Sequence, residues 1–115
     1  MSTNKTYNGW TNYETWAVKL WMDNDEGSYN YWREATLEAW AHPVENQLID
    51  SRKDRAAIAL AERLKDEHED GVPETLNGSV YADLMNAALG EVNWREIADA
   101  LLGNAELPAE DTVDA

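Results

Sequence analysis

The sequence contains no cysteine, which excludes disulfides, thiolate metal sites and cysteine nucleophiles and fits a protein of a reducing cytosol. It has no run of about 18 apolar residues, the length that a membrane span needs. Its first ten residues, MSTNKTYNGW, include no apolar stretch of the kind found in a signal peptide. At 115 residues the chain has the size of one domain. These features predict a soluble, cytoplasmic domain.

Basic residues are few. Nine Lys and Arg stand against 23 Asp and Glu, which gives a formal net charge of −14 at pH 7. Binding to nucleic acid depends on Lys and Arg that displace phosphate counterions, so the charge argues against direct DNA or RNA binding, and anionic membranes are disfavoured in the same way. The charge keeps a small domain in solution and attracts basic surfaces. The predicted partner is a protein with a basic surface.

Phenylalanine is absent, and the aromatic residues are six Trp and five Tyr, of which nine lie within the first 40 residues. Trp and Tyr combine a large apolar area with a polar group, so they suit half-buried seams and interfaces. Two interpretations stay open: the Trp residues fill a small helical core, or part of the set forms a face for a partner or for self-association. The candidate residues for such a face are Trp21, Tyr29, Tyr31 and Trp40.

A first helix is predicted over about residues 11–24, because Thr11 and Glu14 have the spacing of a capping box. Gly27 is suited to the left-handed backbone that follows a helix end. Apolar side chains cover more than half of the girth of this helix, which predicts a central position. Its main apolar stripe is Tyr13, Trp16, Ala17 and Leu20.

The third helix has two alternative starts. It begins near Val44, directly after Pro43, or Ser51 caps it, and Gly71 follows its end. Helix 4 is predicted to pack through Tyr81, Leu84, Met85 and Ala88, and helix 5 through Ile97, Ala98, Leu101 and Leu102. The remaining predicted caps are Ser28 for residues 29–41, Ser79 for residues 80–89, and Asn93 for a helix that Gly103 ends.

No alternating run of β-branched residues competes with the helical patterns. The sequence therefore predicts an all-α fold, a compact bundle of four to five helices. Residues 1–103 form this single domain, with residues 1–9 loosely ordered, and residues 104–115 form an acidic, disordered tail.

Patterns that carry enzyme chemistry are missing. The two histidines, His42 and His68, lack the Glu-x-x-His spacing of a di-iron bundle, and both are predicted to lie at the surface. There is no Gly-x-Ser-x-Gly elbow and no Gly-rich phosphate loop. The one basic cluster is Arg52, Lys53 and Arg55. We expect no catalytic residues, no metal site and no cofactor, and hence a protein that is not an enzyme.

Two passages resemble a family of small uncharacterised proteins from phages, plasmids and other mobile elements. Residues 8–16 (NGWTNYETW) with residues 19–24 (KLWMDN) are similar to its opening, and residues 80–84 (VYADL) with residues 92–98 (VNWREIA) are similar to its closing half. The resemblance covers about half of the chain. It implies a mobile-element context and brings no activity with it.

Two functions from different classes follow. The first is a non-enzymatic acidic interaction protein, in its sharper form a mimic of DNA that inhibits a host DNA-binding or defence complex, which requires a continuous acidic stripe. The second is a helical protein-binding or oligomerising module that uses the Trp- and Tyr-rich N-terminal half. The acids proposed for the first function are Asp23, Asp25, Glu26, Asp66, Glu67, Glu69, Asp70 and Glu74.

Overall fold

The computed structural model describes residues 6–46, 48–49 and 51–108. Over these residues the protein is all-helical, as predicted. None of the helices in this part of the chain has the length and apolarity that crossing a bilayer demands. The five α-helices are α1 (Tyr13–Asn24), α2 (Glu26–Ala41), α3 (Arg52–Asp70), α4 (Val80–Gly90) and α5 (Trp94–Asn104), with a 3-10 turn at Glu74–Leu76 between α3 and α4.

The central helix is α3, which packs against α2, α4 and α5, whereas α1 contacts α2 and α5. The prediction of a central first helix is therefore wrong. The most extensive contact between two helices is that of α3 with α5. This is expected, because these two helices have the most strongly one-sided apolar faces. The fully buried residues at the middle of the bundle are Ala56, Ala57, Leu60, Leu64, Ile97, Ala98 and Leu102.

The first helix begins one residue later than its capping box indicates. Asn12 is the cap, because its Oδ1 accepts a hydrogen bond from the Thr15 amide at 2.9 Å. The buried face of α1 also differs from the predicted stripe: it consists of Thr15, Lys19 and Met22. Tyr13 and Leu20 are exposed. Polar residues are buried here because hydrogen bonds satisfy them.

Those hydrogen bonds join the start of α1 to the start of α5. The hydroxyl of Thr15 accepts from the Asn93 amide at 2.8 Å, and the Asn12 side chain donates to the Glu91 carbonyl at 2.7 Å. Glu96 accepts from the Thr11 amide at 3.1 Å. We call this set of residues the α1–α5 junction. It unites the two passages that carry the family resemblance, which gives both a structural role.

The second helix starts at Glu26, two residues before the predicted cap. Asp25 caps it by accepting from the Ser28 amide at 2.8 Å. Gly27 therefore lies within α2, and its predicted role as a helix-ending glycine is wrong. A single residue, Asp25, separates α1 from α2 and both ends the first helix and begins the second.

The other predicted caps are confirmed. Ser51 caps α3, which decides between the two alternative starts, and Gly71 follows its last residue. Ser79 caps α4 and Asn93 caps α5. Asn104, one residue beyond the predicted end, closes α5. In the described part of the tail Leu107 packs against the core, and the predicted disorder falls mainly on residues 109–115, which lie outside the described residues.

Residues 7–10 form a tight turn that was not predicted from the sequence. Tyr7 and Trp10 exchange two backbone hydrogen bonds of 2.8 Å across Asn8 and Gly9. Both central residues have positive φ, 49° and 87°, which is the type I′ geometry that Asn-Gly favours. The turn places the Tyr7 ring 4.8 Å from the ring of Trp16. Residues 7–9, predicted to be loosely ordered, are therefore held against α1.

The apolar stripe of α4 faces solvent. Ala82 is the single buried residue of the helix, whereas Tyr81, Leu84 and Met85 are exposed. The pattern was a correct prediction of a helix, but the inference that this stripe packs into the core is wrong. Helix α4 touches the bundle through α3, on a neighbouring face of the helix that carries Ala82.

Candidate functional site

Helices α2 and α3 run antiparallel, and contacts at both ends fix this arrangement. At the connecting end, the Arg52 guanidinium donates to the Trp40 carbonyl at 2.9 and 2.7 Å. Towards the other end, the Tyr31 hydroxyl donates to the Glu67 carboxylate at 2.7 Å. The first turn of α2 and the last turns of α3 therefore lie at the same end of the bundle.

The acids singled out in the sequence occupy that end. The C-terminus of α1 leads into the first turn of α2, so three of these acids lie at the same end of the bundle as the five that the end of α3 and the following turn carry. We call this surface the acid-rich end. Its members are Asp23, Asp25, Glu26, Asp66, Glu67, Glu69, Asp70 and Glu74, all of them exposed.

Three bases interrupt the negative charge of the acid-rich end. Lys19 pairs with Asp23 at 2.6 Å, Arg63 with Glu67 at 2.9 Å, and Lys65 with Glu69 at 3.4 Å. Among the described residues the other five acids form no ion pair, and Asp25 has the further role of capping α2. The surface thus keeps a marked excess of negative charge.

A hydrogen-bonded network borders this surface. Arg63 lies between α2 and α3, donating to Glu38 at 2.8 Å and to the Tyr31 hydroxyl at 3.0 Å. Its hydrogen bonds with Tyr31 and Glu38 raise the pKa of Arg63 above its ordinary value. Partial burial raises the pKa of the Glu67 carboxyl, but hydrogen bonds from Tyr31 and Arg63 outweigh it, and the pKa of Glu67 is lowered.

The four aromatic residues proposed for a binding face do not share one environment. Trp40 is buried, with 7% of its surface exposed, because it packs in the core under the Arg52 guanidinium, so its assignment to an exposed face is wrong. Tyr31 is exposed, but its hydroxyl is held by the network of Arg63 and Glu67. Trp21 is 72% exposed, and Tyr29 is exposed as well.

Tyr29 lines a cleft of about 580 Å³ between α1, α2 and the end of α5. Met22 and Trp32 form its apolar floor, and Lys19 and Arg33 are among its polar walls. The volume lies within the usual range for ligand pockets. Charged groups of both signs line the cleft, since Asp23 and Glu106 also contribute.

The histidines lie apart from each other. His42 is exposed after α2, as predicted. The His68 ring is half-buried and lies between Trp32 and Trp94, with ring centroids 5.7 and 5.1 Å away, so its predicted surface position is wrong. Its Nδ1 is 2.7 Å from the Leu64 carbonyl. The described residues contain no group of three or more His, Cys, Asp or Glu arranged to hold a metal ion.

The chain belongs to a family of unknown function (DUF7249), whose model matches residues 3–96. The match spans α1 to α4 and the first turn of α5, and so includes both sides of the α1–α5 junction. No curated protein and no solved structure matches the chain.

Proposed function

We propose that this member of a family of unknown function is a non-enzymatic acidic interaction protein, which binds a basic surface of a protein partner with its acid-rich end. The observation that carries the proposal is the antiparallel hairpin of α2 and α3, since it brings together two acidic stretches about 40 residues apart in the chain. A concentrated negative surface steers a basic partner and orients it.

The sharper form of the proposal is DNA mimicry. A basic channel that binds DNA recognises closely spaced negative charge, which carboxylates can supply in place of phosphates. The resemblance to proteins of mobile elements favours a host DNA-binding or defence complex as the target, and a cytoplasmic site of action. Direct binding of nucleic acid by this chain is not expected, because the net charge is −14.

The test compares two variants of equal net charge. In the first, Glu26→Gln, Asp66→Asn, Asp70→Asn and Glu74→Gln neutralise acids of the acid-rich end that form no ion pair among the described residues. In the control, four exposed acids that do not belong to the acid-rich end are neutralised by substitution with Gln: Glu34, Glu45, Glu62 and Glu91.

Immobilised protein is exposed to the heparin-binding fraction of a bacterial lysate, which is rich in basic DNA-binding proteins. We expect the wild type and the control to retain a protein that salt and duplex DNA both release, and the first variant to lose it. Equal retention by the two variants would place binding elsewhere. If duplex DNA does not release the retained protein, the chain would still be an acidic interaction protein, but DNA mimicry would be excluded.

A second candidate function is a protein-binding or oligomerising module in the aromatic N-terminal half. The observation in its favour is Trp21, which is 72% exposed, since Trp residues are frequent hot spots of interfaces. Sedimentation of the wild type and of Trp21→Ser distinguishes the two functions. A concentration-dependent oligomer that the substitution disperses would favour this module.

A further inference from the structure

Helix α4 has more apolar surface than its contacts in the bundle account for. Tyr81 is 64% exposed and Leu84 is 61% exposed, and Val80 and Met85 are exposed beside them. With a turn of 100° per residue, these four side chains and Ala88 lie within about 140° of the helix circumference. They form one continuous stripe, which we call the α4 stripe.

The α4 stripe is separate from the face that anchors the helix. Ala82 and the half-buried Leu89 lie on one side of α4, next to the stripe, and Ala82 is the single buried residue of the helix. An isolated helix of 11 residues is marginal in water, so packing must supply most of its stability. The α4 stripe therefore stays exposed in the part of the chain that the structure describes.

The formal charges along the chain on both sides of the α4 stripe have one sign. Residues 66–94 contain seven acids and no Lys or Arg. The nearest bases along the chain are already paired: Lys65 with Glu69, and Arg95 with Asp54 and Asp99. Within α4 itself the one charged residue is Asp83, which lies off the stripe.

This charge pattern favours some binding partners of the α4 stripe over others. A second copy of the chain would bring a charge of −14 against a charge of −14 and the same acids against each other, which disfavours association. Anionic lipid is disfavoured for the same reason. A partner helix with an apolar face flanked by Lys and Arg would complement both the α4 stripe and the acids near it in the chain.

We propose that the α4 stripe binds a basic amphipathic helix of a partner protein, which packs its own apolar face along α4 and directs its Lys and Arg towards the surrounding acids. The recognition follows the helix-packing mode in which residues at i, i+3, i+4 and i+7 are the anchors. The proposal rests on the proposed function for the basic character of the partner. It adds an apolar contact surface to the acidic one.

The experiment uses three fluorescein-labelled peptides of 18 residues and the full chain. The first has Leu at the spacing of one helix face and Lys elsewhere. In the second Ser replaces Leu, and in the third Glu replaces Lys. Binding is followed by fluorescence anisotropy. The protein variants are Tyr81→Ser with Leu84→Ser, and the control Leu48→Ser, which alters an exposed apolar residue outside α4.

We expect the Leu/Lys peptide to bind best, and the double substitution to weaken its binding about tenfold or more, since it removes two large apolar side chains from the proposed contact. The control should bind as the wild type does. Circular dichroism verifies that the double variant stays folded, as expected for exposed positions.

Several results would overturn the inference. Equal binding of the Lys/Ser peptide would show charge recognition alone, and the proposed function would stand while this inference failed. Equal binding of the Leu/Glu peptide would remove the basic partner. A double variant that binds as the wild type does, or no binding of the Leu/Lys peptide, would exclude the stripe as the contact. A dimer of the wild type that Tyr81→Ser with Leu84→Ser disperses would assign the stripe to a second copy.

Discussion

The hydroxyl of Thr15 in α1 accepts a hydrogen bond of 2.8 Å from the backbone amide of Asn93, the cap of α5, although 78 residues separate them in the chain. Thr15 is fully buried. The same hydroxyl is 2.6 Å from Oδ1 of Asn12, the cap of α1. One side chain thus couples the first turns of two helices, which explains why a polar residue lies at a core position of α1.

Thr15→Val removes this coupling while nearly keeping the side-chain shape. The Asn93 amide then loses its partner in a part-buried position, and we expect a loss of about 1–3 kcal/mol in the free energy of unfolding. Thr36→Val is the matched control, because Thr36 is equally buried but its hydroxyl bonds within its own helix, to the Trp32 carbonyl. Urea denaturation of both variants should show the larger loss for Thr15→Val. A larger loss for Thr36→Val would contradict the role of the junction.

Asn12→Ala should destabilise the protein more than Thr11→Ala. Asn12 satisfies the Thr15 amide as the cap of α1 and also donates to the Glu91 carbonyl. Loss of a cap side chain costs about 1 kcal/mol, and the loss of the second hydrogen bond adds to it. Thr11→Ala loses only the exposed hydrogen bond of 3.3 Å that the Thr11 hydroxyl accepts from the Asn93 side chain, since the backbone amide of residue 11 keeps its contact with Glu96. Melting temperatures of the two variants provide the measurement, and the reverse order would restore Thr11 as the cap.

Trp94→Ala should lower the free energy of unfolding by several kcal/mol more than Trp21→Ala does. Trp94 is buried in the core, with its ring tilted on His68, and removal of a buried Trp side chain costs about 3–5 kcal/mol. Trp21 is exposed, and its loss should change stability by about 0.5 kcal/mol or less. Guanidinium denaturation monitored by circular dichroism tests both. A marked loss in Trp21→Ala would show that its ring packs against the protein.

Local signals in the sequence predicted most helix ends. Ser51, Ser79 and Asn93 were predicted as caps, and each accepts a hydrogen bond from a first-turn amide. The start of α1 shifted by one residue because Thr11 and Asn12 are both good caps, and the hydrogen bond to the Glu91 carbonyl, in the turn before α5, favours Asn12. Competition between neighbouring caps depends on partners that lie far away in the chain.

The direction of the helix faces was less predictable. Periodicity identified the apolar residues of α4 but not which of them meet α3, since an 11-residue helix with many apolar residues offers more than one face. On α1 the buried Thr15 and Lys19 broke the pattern, because hydrogen bonds and an ion pair satisfy them. The acids of the candidate site were chosen from the sequence, but their convergence at one end follows from the hairpin of α2 and α3.

The contribution of Glu67 to stability should depend on pH. Hydrogen bonds from Tyr31 and Arg63 lower the pKa of Glu67 in the folded state below its value of about 4.5 in the unfolded chain. A carboxyl with a lowered pKa stabilises the folded state fully above the unfolded pKa, and this stabilisation is lost as the pH falls through the folded pKa. Because the side chain is partly exposed, we expect a contribution of at most about 1 kcal/mol.

The measurement is urea denaturation of the wild type and of Glu67→Gln at pH 7 and at pH 3. The substitution keeps a group that can accept from Tyr31 but removes the charge that Arg63 meets. We expect Glu67→Gln to be less stable than the wild type at pH 7, and the difference to shrink at pH 3. Glu62→Gln is the control for the loss of a charge as such, since Glu62 is an exposed acid of the same helix and forms no ion pair with the described residues. A difference for Glu67→Gln that persists unchanged at pH 3 would mean that shape and packing, not charge, determine its role between α2 and α3.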